Sequence, residues 1–342
     1  MNDGIPTIKE IAKTLNVSVS TVSRALSDHP RIGIKTKEAV KKIAAEMGYE
    51  PNTKAIFFKQ QKSFVVGVIV PHISEDFFSR SINGIEDMAM QHGYTILFGQ
   101  SHDSFEKEKQ VLNAMKRQRV DGLLISLSKE TDSYDHINAL DKLNIPVVYF
   151  DRVPSGKKVN KVYCNLYNSM VQMVDILFKK GRKRVAFING PSELSASKER
   201  FDGYVKGVSR RKLKVDMQMV EQTDLSDKST CDAMESLLSL KKRPDAIISF
   251  NDYVHLDAVK YATHKGVKVN DEIIFASFAN ISINKHAAFP PVVSIDQFPY
   301  KQGKLAMEML ISLLDSNAEP DTGNKTPVNS IEVPFAIVSQ PK

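Results

Sequence analysis

The sequence predicts a small all-α helix-turn-helix domain at the amino terminus, followed by a larger α/β body of two Rossmann-like lobes. Three observations predict it. Residues 7–26, Thr-Ile-Lys-Glu-Ile-Ala-Lys-Thr-Leu-Asn-Val-Ser-Val-Ser-Thr-Val-Ser-Arg-Ala-Leu, carry two short helical patterns joined by a tight turn. From Phe64 onward, unbroken apolar runs of strand length alternate with amphipathic helical stretches, the pattern of parallel sheets covered on both faces. Finally, about seven such βα units recur, too many for one small sheet, and the 342 residues exceed the size of one compact core.

The elements follow in order. Thr7 suits the cap of the first helix, with Glu10 three residues on as its capping-box partner. Ile8, Ile11, Ala12 and Leu15 recur at helical spacing and form its buried stripe. Ser18 suits the cap of the second helix, which buries Val22 and Leu26. A third helix spans Thr36–Gly48, with Val40, Ile43, Ala44 and Met47 inward and Gly48 as its stop. Buried strands are expected at 64–70, 94–98, 121–127, 146–150, 185–188, 246–250, 273–278 and 292–295. Helices are expected at 79–92, 105–119, 166–180, 196–212, 229–240 and 253–265. The Pro/Gly/Lys stretch 153–161 separates the lobes. The domains expected are therefore 1–48, a hinge or linker 49–62, and a body 63–342. Within the body, one lobe takes about 63–160 and 293–322, the other about 161–292 and 323–342.

Composition narrows the function. Net charge is +7, and residues 1–62 carry 11 Lys/Arg against 6 Asp/Glu while the remaining 280 carry 36 against 34. Positive charge is thus concentrated in the first fifth, as expected of a module that meets phosphates. No apolar run approaches a membrane span, and the first residues lack the basic and apolar regions of a signal peptide. Two cysteines, Cys164 and Cys231, without metal-type spacing, point to a reducing cytoplasm and to neither a zinc site nor a disulfide scaffold.

The second helix carries the functional reading. A helix entering the major groove exposes its first turn to base edges. Val19 suits contact with thymine methyls, Ser20 donates or accepts, and Arg24 reads guanine or clamps phosphate. Phe57-Phe58 sits in a polar stretch with little core to join. An apolar side chain there suits a minor-groove wedge, a role we assign to Phe58, with Phe57 packing on protein. In the body, ligands of open α/β sheets bind outside the carboxyl ends of strands. Asp151 and Arg152, then Asn251 and Asp252, then Gln297, each follow an expected strand directly. These polar groups suit a hydroxylated ligand, with Phe77 and Phe78 as apolar walls.

Over essentially its full length the chain resembles the LacI/GalR family of bacterial transcription regulators. The resemblance rests on the first helix, Val17-Ser18, Thr21-Val22-Ser23-Arg24-Ala25-Leu26, and a hinge-like Tyr49-Glu50-Pro51-Asn52 with Ala55. In the body it rests on Arg119–Leu124, Phe150-Asp151-Arg152, Asn189-Gly190-Pro191, Glu199–Tyr204, Asn251-Asp252 and Ser294–Gln297. It implies a periplasmic-binding-protein-like body with an effector between two lobes, and homodimers on pseudo-palindromic double-stranded operator DNA. It implies base reading by Val19, Ser20 and Arg24 and backbone contacts from Thr7, Ser18, Thr21 and Ser23. It also implies a hinge of Asn52, Ala55 and Phe58, where Phe58 stands in place of the family's leucine. Phe78, Asp151, Arg200, Asn251 and Gln297 fall on effector-pocket positions. The chain departs from the family at Ala279, where many members carry an aspartate that grips ligand hydroxyls, and at Leu194 and Ala196. Asn280 offers itself as a replacement. The effector expected is a small polar metabolite, a sugar or sugar derivative. A nucleobase or other metabolite, or a ligand-free degenerate body, is the alternative.

Other classes fit less well. A nucleotide-dependent dehydrogenase needs a Gly-rich turn after its first strand, and Val70-Pro71-His72-Ile73-Ser74 has none. No phosphate loop of the Gly-Lys-Ser/Thr type is present, and the histidines His72, His92, His102 and His136 lack ligand spacing. No enzyme, cofactor, metal or membrane partner is therefore expected. A periplasmic binding protein would leave residues 1–62 without a purpose.

Overall fold

The computed structural model describes residues 6–49, 62–154, 156–316 and 328–339. The hinge residues Asn52, Ala55, Phe57 and Phe58 lie outside them. The chain divides into two units, Met1–Ser63 and Phe64–Lys342.

The first unit is three helices, α1 (Ile8–Thr14), α2 (Val19–Leu26) and α3 (Ile34–Glu46). The Glu10 carboxylate accepts from the Thr7 N–H at 2.7 Å and the Thr7 hydroxyl at 3.1 Å. The Ser18 hydroxyl accepts from the Thr21 N–H at 3.1 Å, satisfying one of the donors a helix start leaves open. Between α1 and α2 the chain reverses through Asn16 in the left-handed region. Ile11, Ala12, Val22, Ala25, Val40 and Ala44 form the buried core, with Ile8, Leu15 and Leu26 partly buried around it. α3 begins two residues before the expected Thr36, because Gly33 in an extended conformation serves as its cap. Gly48, at φ +63°, ends it.

The second unit holds two six-stranded sheets. The first has strand order β11-β5-β4-β3-β1-β2. These are β1 (Val65–Val70), β2 (Thr95–Gln100), β3 (Gly122–Ile125), β4 (Val147–Phe150), β5 (Lys161–Cys164) and β11 (Ser330–Val333). The second sheet has order β12-β10-β9-β8-β6-β7. Its members are β6 (Val185–Asn189), β7 (Val220–Gln222), β8 (Ala246–Ser249), β9 (Ile274–Phe278), β10 (Val293–Asp296) and β12 (Ala336–Ser339). All pairings are parallel except β10 with β12. Helices α4 (Asp76–Gln91), α5 (Phe105–Arg117), the short α6 (Asp135–Asn138) and α11 (Pro299–Ser316) accompany the first sheet. The second carries α7 (Leu166–Lys179), α8 (Ser195–Ser209), α9 (Asp227–Ser239) and α10 (Asp252–His264).

The lobes differ from the sequence expectation at their seams. The sequence places Lys161–Cys164 in the second lobe, yet it pairs with β4 in the first sheet. The sequence places Val293–Asp296 in the first lobe, yet it pairs with β9 and β12 in the second. The expected tail of the second lobe splits between the two, β11 joining the first sheet and β12 the second. The chain therefore crosses between lobes three times, after β5, after β10 and after β11. A strand carries no local mark of which sheet it will join, since its alternation is satisfied by either core. The crossings place Cys164, Leu166 and Gln297 at the junction, where all three line a cavity.

Candidate functional site

In the first unit, α2 carries the side chains expected to read DNA. Its inward side chains, Val22 and Ala25, are fully buried, which turns Val19, Ser20 and Arg24 outward. Val19 is 42% exposed. The Ser18 hydroxyl lies 2.8 Å from those of both Ser20 and Thr21, so the helix start presents a fixed cluster of hydroxyls. Arg24 is exposed and has no ion pair among the described residues. Beyond α2, Asp28 takes up the left-handed conformation. Its carboxylate accepts from Lys41 at 2.8 and 2.9 Å and its carbonyl from Lys37 at 2.8 Å. The Lys41 ammonium holds the Asp28 carboxyl below its usual range.

In the second unit a solvent-open cavity lies between the carboxyl ends of the two sheets. Seven of the eight residues predicted for an effector line it: Phe77, Phe78, Asp151, Arg152, Arg200, Asn251 and Gln297. The eighth, Asp252, does not. It is fully buried, and its carboxylate accepts from the Ile281 N–H at 2.8 Å. Asp252 sits in the first turn of α10, which points its side chain at the loop after β9 rather than at the cleft. Burial pushes its carboxyl up to about 6.

Each lining group is held by its neighbours. Arg200, 6% exposed, donates to the Phe250 carbonyl at 2.9 Å and to Gln297 Oε1 at 3.3 Å. Its guanidinium lies over the rings of Phe250 and Phe278 at 4.2 and 4.3 Å from their centroids, an attractive arrangement for a desolvated cation. Burial lowers its pKa to about 10, although Asp151 and Glu199 pull the other way. Its Nε is buried without a partner among the described residues. Arg152 pairs with Asp103 and lies over the Phe78 ring at 5.6 Å. Asp151, at φ +58°, closes the turn after β4. Burial raises its carboxyl to about 6, against the opposing charges of Arg152 and Arg200. Asn251 both lines the cavity and caps α10, its Oδ1 accepting from the Val254 N–H at 3.0 Å. Phe77 and Phe78 meet edge to face at 5.4 Å and are also members of the first lobe's core, so they serve packing and wall at once.

Further residues line the cavity beyond those the sequence predicts. Glu75, Tyr163, Glu199 and Tyr253 face the cavity from four different elements. The carboxyls of Glu75 and Glu199 are raised by burial. Asn280 is not the replacement it offered to be. Its amide donates to Asp296 at 3.0 Å, and Ala279, at φ +99°, lines the cavity instead. Leu194 and Ala196 add apolar wall. Direct contacts also join the lobes at the start of α4. The Asp76 N–H donates to the Tyr253 hydroxyl at 3.2 Å, and the Ser282 hydroxyl donates to the Asp76 carboxylate.

Comparison with known proteins bears on both units. Residues 7–52 match the family model described as bacterial regulatory proteins, lacI family, and residues 66–318 match that of a periplasmic binding protein domain. The HTH-type transcriptional repressor CytR of Escherichia coli (strain K12) is 30% identical over 305 residues, covering 89% of each chain. The chain belongs to the lacI family. Catabolite control protein A of Priestia megaterium is 28% identical over 90% of this chain and 92% of its own. The ribose operon repressor of Bacillus subtilis (strain 168) is 27% identical over 95% and 97%. In fold, the protein is similar to the lac repressor dimer bound to operator and the anti-inducer ONPF, with a TM-score of 0.84, 22% identity and 98% of both chains covered. It is also similar to the CelR–cellobiose complex, with a TM-score of 0.72 and 23% identity over 97% and 98%. This lacI-family protein is a DNA-binding transcription regulator, not an enzyme. Among the described residues no helix is long and apolar enough to cross a membrane.

Proposed function

We propose that the protein is a cytoplasmic, nucleoid-associated homodimeric repressor that binds a pseudo-palindromic operator and is controlled by a small polar effector, a sugar or sugar derivative. One observation carries the reading. A chain with an outward-facing Val19, Ser20 and Arg24 also holds a cavity walled by aromatic rings and by hydrogen-bonding groups drawn from both lobes. Val19, Ser20 and Arg24 read bases, while Thr7, Ser18, Thr21 and Ser23 hold the phosphate backbone. Asn52, Ala55 and Phe58 serve the hinge, with Phe58 as the minor-groove wedge. The ligand alters operator affinity only through its different affinity for two lobe arrangements. Asp151, Arg200, Asn251 and Gln297 bind it in the polar half of the cavity, with Phe77, Phe78 and Arg152 at its wall.

A second reading has its own support. The position at which an acid would grip hydroxyls is Ala279, and Leu194 and Phe250 extend the apolar wall. A flat nucleobase-bearing ligand suits such a wall. Thermal-shift and calorimetric titration with one panel of sugars and one of nucleosides separates the two. Stabilisation by a sugar supports the first reading, and stabilisation by nucleosides alone replaces it with the second. No stabilisation by either makes the body a ligand-free support for the DNA-binding unit. Phe58→Ala is expected to lower operator affinity and leave ligand binding intact; unchanged operator affinity removes the wedge.

A further inference from the structure

The second lobe has a pole that the ligand cavity does not use. In a parallel sheet the helix-to-strand connections gather at the edge opposite the carboxyl ends of the strands. Three such connections lead into the adjacent strands β8, β6 and β7. The end of α7 runs into β6 through Lys179-Lys180-Gly181-Arg182-Lys183-Arg184. The end of α8 leads towards β7 through Lys206–Lys214, which holds five Lys/Arg, and α9 into β8 through Lys241-Lys242-Arg243. The three stretches hold 13 Lys/Arg and no Asp or Glu. The second unit as a whole is nearly neutral, so these stretches are an excess of positive charge even with Asp175, Asp216 and Asp245 beside them.

Contacts join the stretches into one surface. Arg184 Nε donates to the Arg243 carbonyl at 2.6 Å, and Arg184 also pairs with Asp245 at 3.5 Å. Arg210 and Arg211 both reach Asp175 on α7, at 3.2 and 3.3 Å. Arg182 donates to the carbonyls of Asp271 and Glu272, and Arg243 to that of Leu238 at 2.7 Å. The arginines are therefore occupied in holding the loops. The lysines are not. Lys179, Lys180 and Lys183 are exposed and have no ion pair among the described residues. The same holds for Lys206, Lys212 and Lys214, and for Lys241 and Lys242.

We propose that this pole binds the phosphate backbone of duplex DNA without reading sequence, giving the protein a hold on a second duplex segment in addition to the one its recognition helices read. Lysine ends on helix termini partly complement the helix dipoles, but that accounts for the last turn of each helix and not for the lysines beyond it. A protein partner is the poorer fit, because lysine is depleted in protein interfaces. Flexible ammonium groups act as point charges towards phosphate, with no need of the bidentate geometry that the committed arginines would supply. Duplex DNA offers one negative charge per about 1.7 Å of axis, a density that several adjacent lysines neutralise together.

The test uses the full chain, saturated with an operator duplex obtained by selection. It is then titrated with a fluorescent random-sequence duplex over a salt series. The variant carries Lys→Gln at 179, 180, 183, 212 and 214. Wild type is expected to capture the second duplex. The variant should do so at least tenfold more weakly, with a shallower salt dependence; five lost phosphate contacts correspond to about 4.5 in the log–log slope. Its operator affinity and melting temperature stay within error of wild type. If the fivefold variant melts early, Lys179→Gln/Lys180→Gln/Lys183→Gln and Lys212→Gln/Lys214→Gln are each expected to lose part of the capture. Equal capture and equal slope in wild type and variants overturn the proposal. So does lysine-dependent binding of poly-glutamate with no lysine-dependent binding of DNA, which would make the pole a protein-docking surface.

Discussion

Two arginines set the two functional regions apart. Arg24, on the recognition helix, is exposed and unpaired among the described residues. Arg200, in the ligand cavity, is buried, stacked on two rings and hydrogen-bonded to the Phe250 carbonyl and Gln297. The first keeps its donors in water. The second has already been desolvated, and its cost is met within the fold by aromatic faces, carbonyl oxygen and nearby carboxylates. One region is therefore decoupled from stability and the other is part of it. The recognition surface can vary to suit an operator with little effect on folding, whereas a change in the cavity's polar half alters ligand and fold together.

The largest effect that would break this contrast comes from Arg200→Ala. It leaves the Phe250 carbonyl and Gln297 without their donor and opens space between two rings, for an expected loss of about 3 kcal/mol of stability. Urea unfolding measures it; a loss below about 0.5 kcal/mol would place Arg200 with ordinary surface residues.

Next comes Arg24→Ala, expected to weaken the selected operator by about 1–3 kcal/mol while changing unfolding by less than about 0.5 kcal/mol. Anisotropy titration at fixed salt and a melting curve read the two halves. A destabilised protein would mean that Arg24 is structural after all.

Ser18→Ala sits between the regions in kind, since the hydroxyl caps α2 and belongs to the exposed cluster. It should cost about 1 kcal/mol in the first unit, and Ser18→Asn should restore most of that in the melt without restoring operator affinity in full.

A pH slope from Asp151 tests the cavity side of the comparison alone. Its carboxyl is raised in the fold to about 6 from 3.8, so the folded state binds a proton more readily than the unfolded chain. Stability from this group therefore rises as pH falls from 7 through 6 towards 4, and its cost is fully present above pH 6. Asp151→Asn removes the titration. The difference in melting temperature, variant minus wild type, should be positive at pH 8 and shrink on acidification to pH 5. A constant difference would place the perturbed proton elsewhere.

Much of the recognition unit was legible because its signals are local. Thr7 with Glu10, Ser18 with Thr21, and Gly48 at its left-handed turn are each decided within four residues of sequence. The strands of the body were legible for the same reason, since an apolar run marks a buried strand wherever it lies. The cavity was partly legible where a polar residue directly follows a strand, as at Asp151, Asn251 and Gln297. Tyr163 was not, because β5 carries no predicted cavity residue; Glu75, Glu199 and Tyr253 lie close to the predicted Phe77, Arg200 and Asp252, and only the packing of α4, α8 and α10 brings them to the cavity. Asp252 misled for the converse reason: it closely follows an expected strand, yet its carboxylate is taken up by the Ile281 N–H.

The sequence by itself determined the three helices of the recognition unit, the outward side chains of α2, the alternation of strand and helix in the body, and the segregation of basic residues. These depend on short-range periodicity, capping and charge. Only the tertiary structure decided which sheet Lys161–Cys164, Val293–Asp296 and the last two strands join. It also brought Arg200 between Phe250 and Phe278, turned Asn280 away from the cavity, and gathered three separate basic connections at one pole. Those outcomes depend on which of two equally apolar cores a strand completes, a choice that exists only once both lobes are folded.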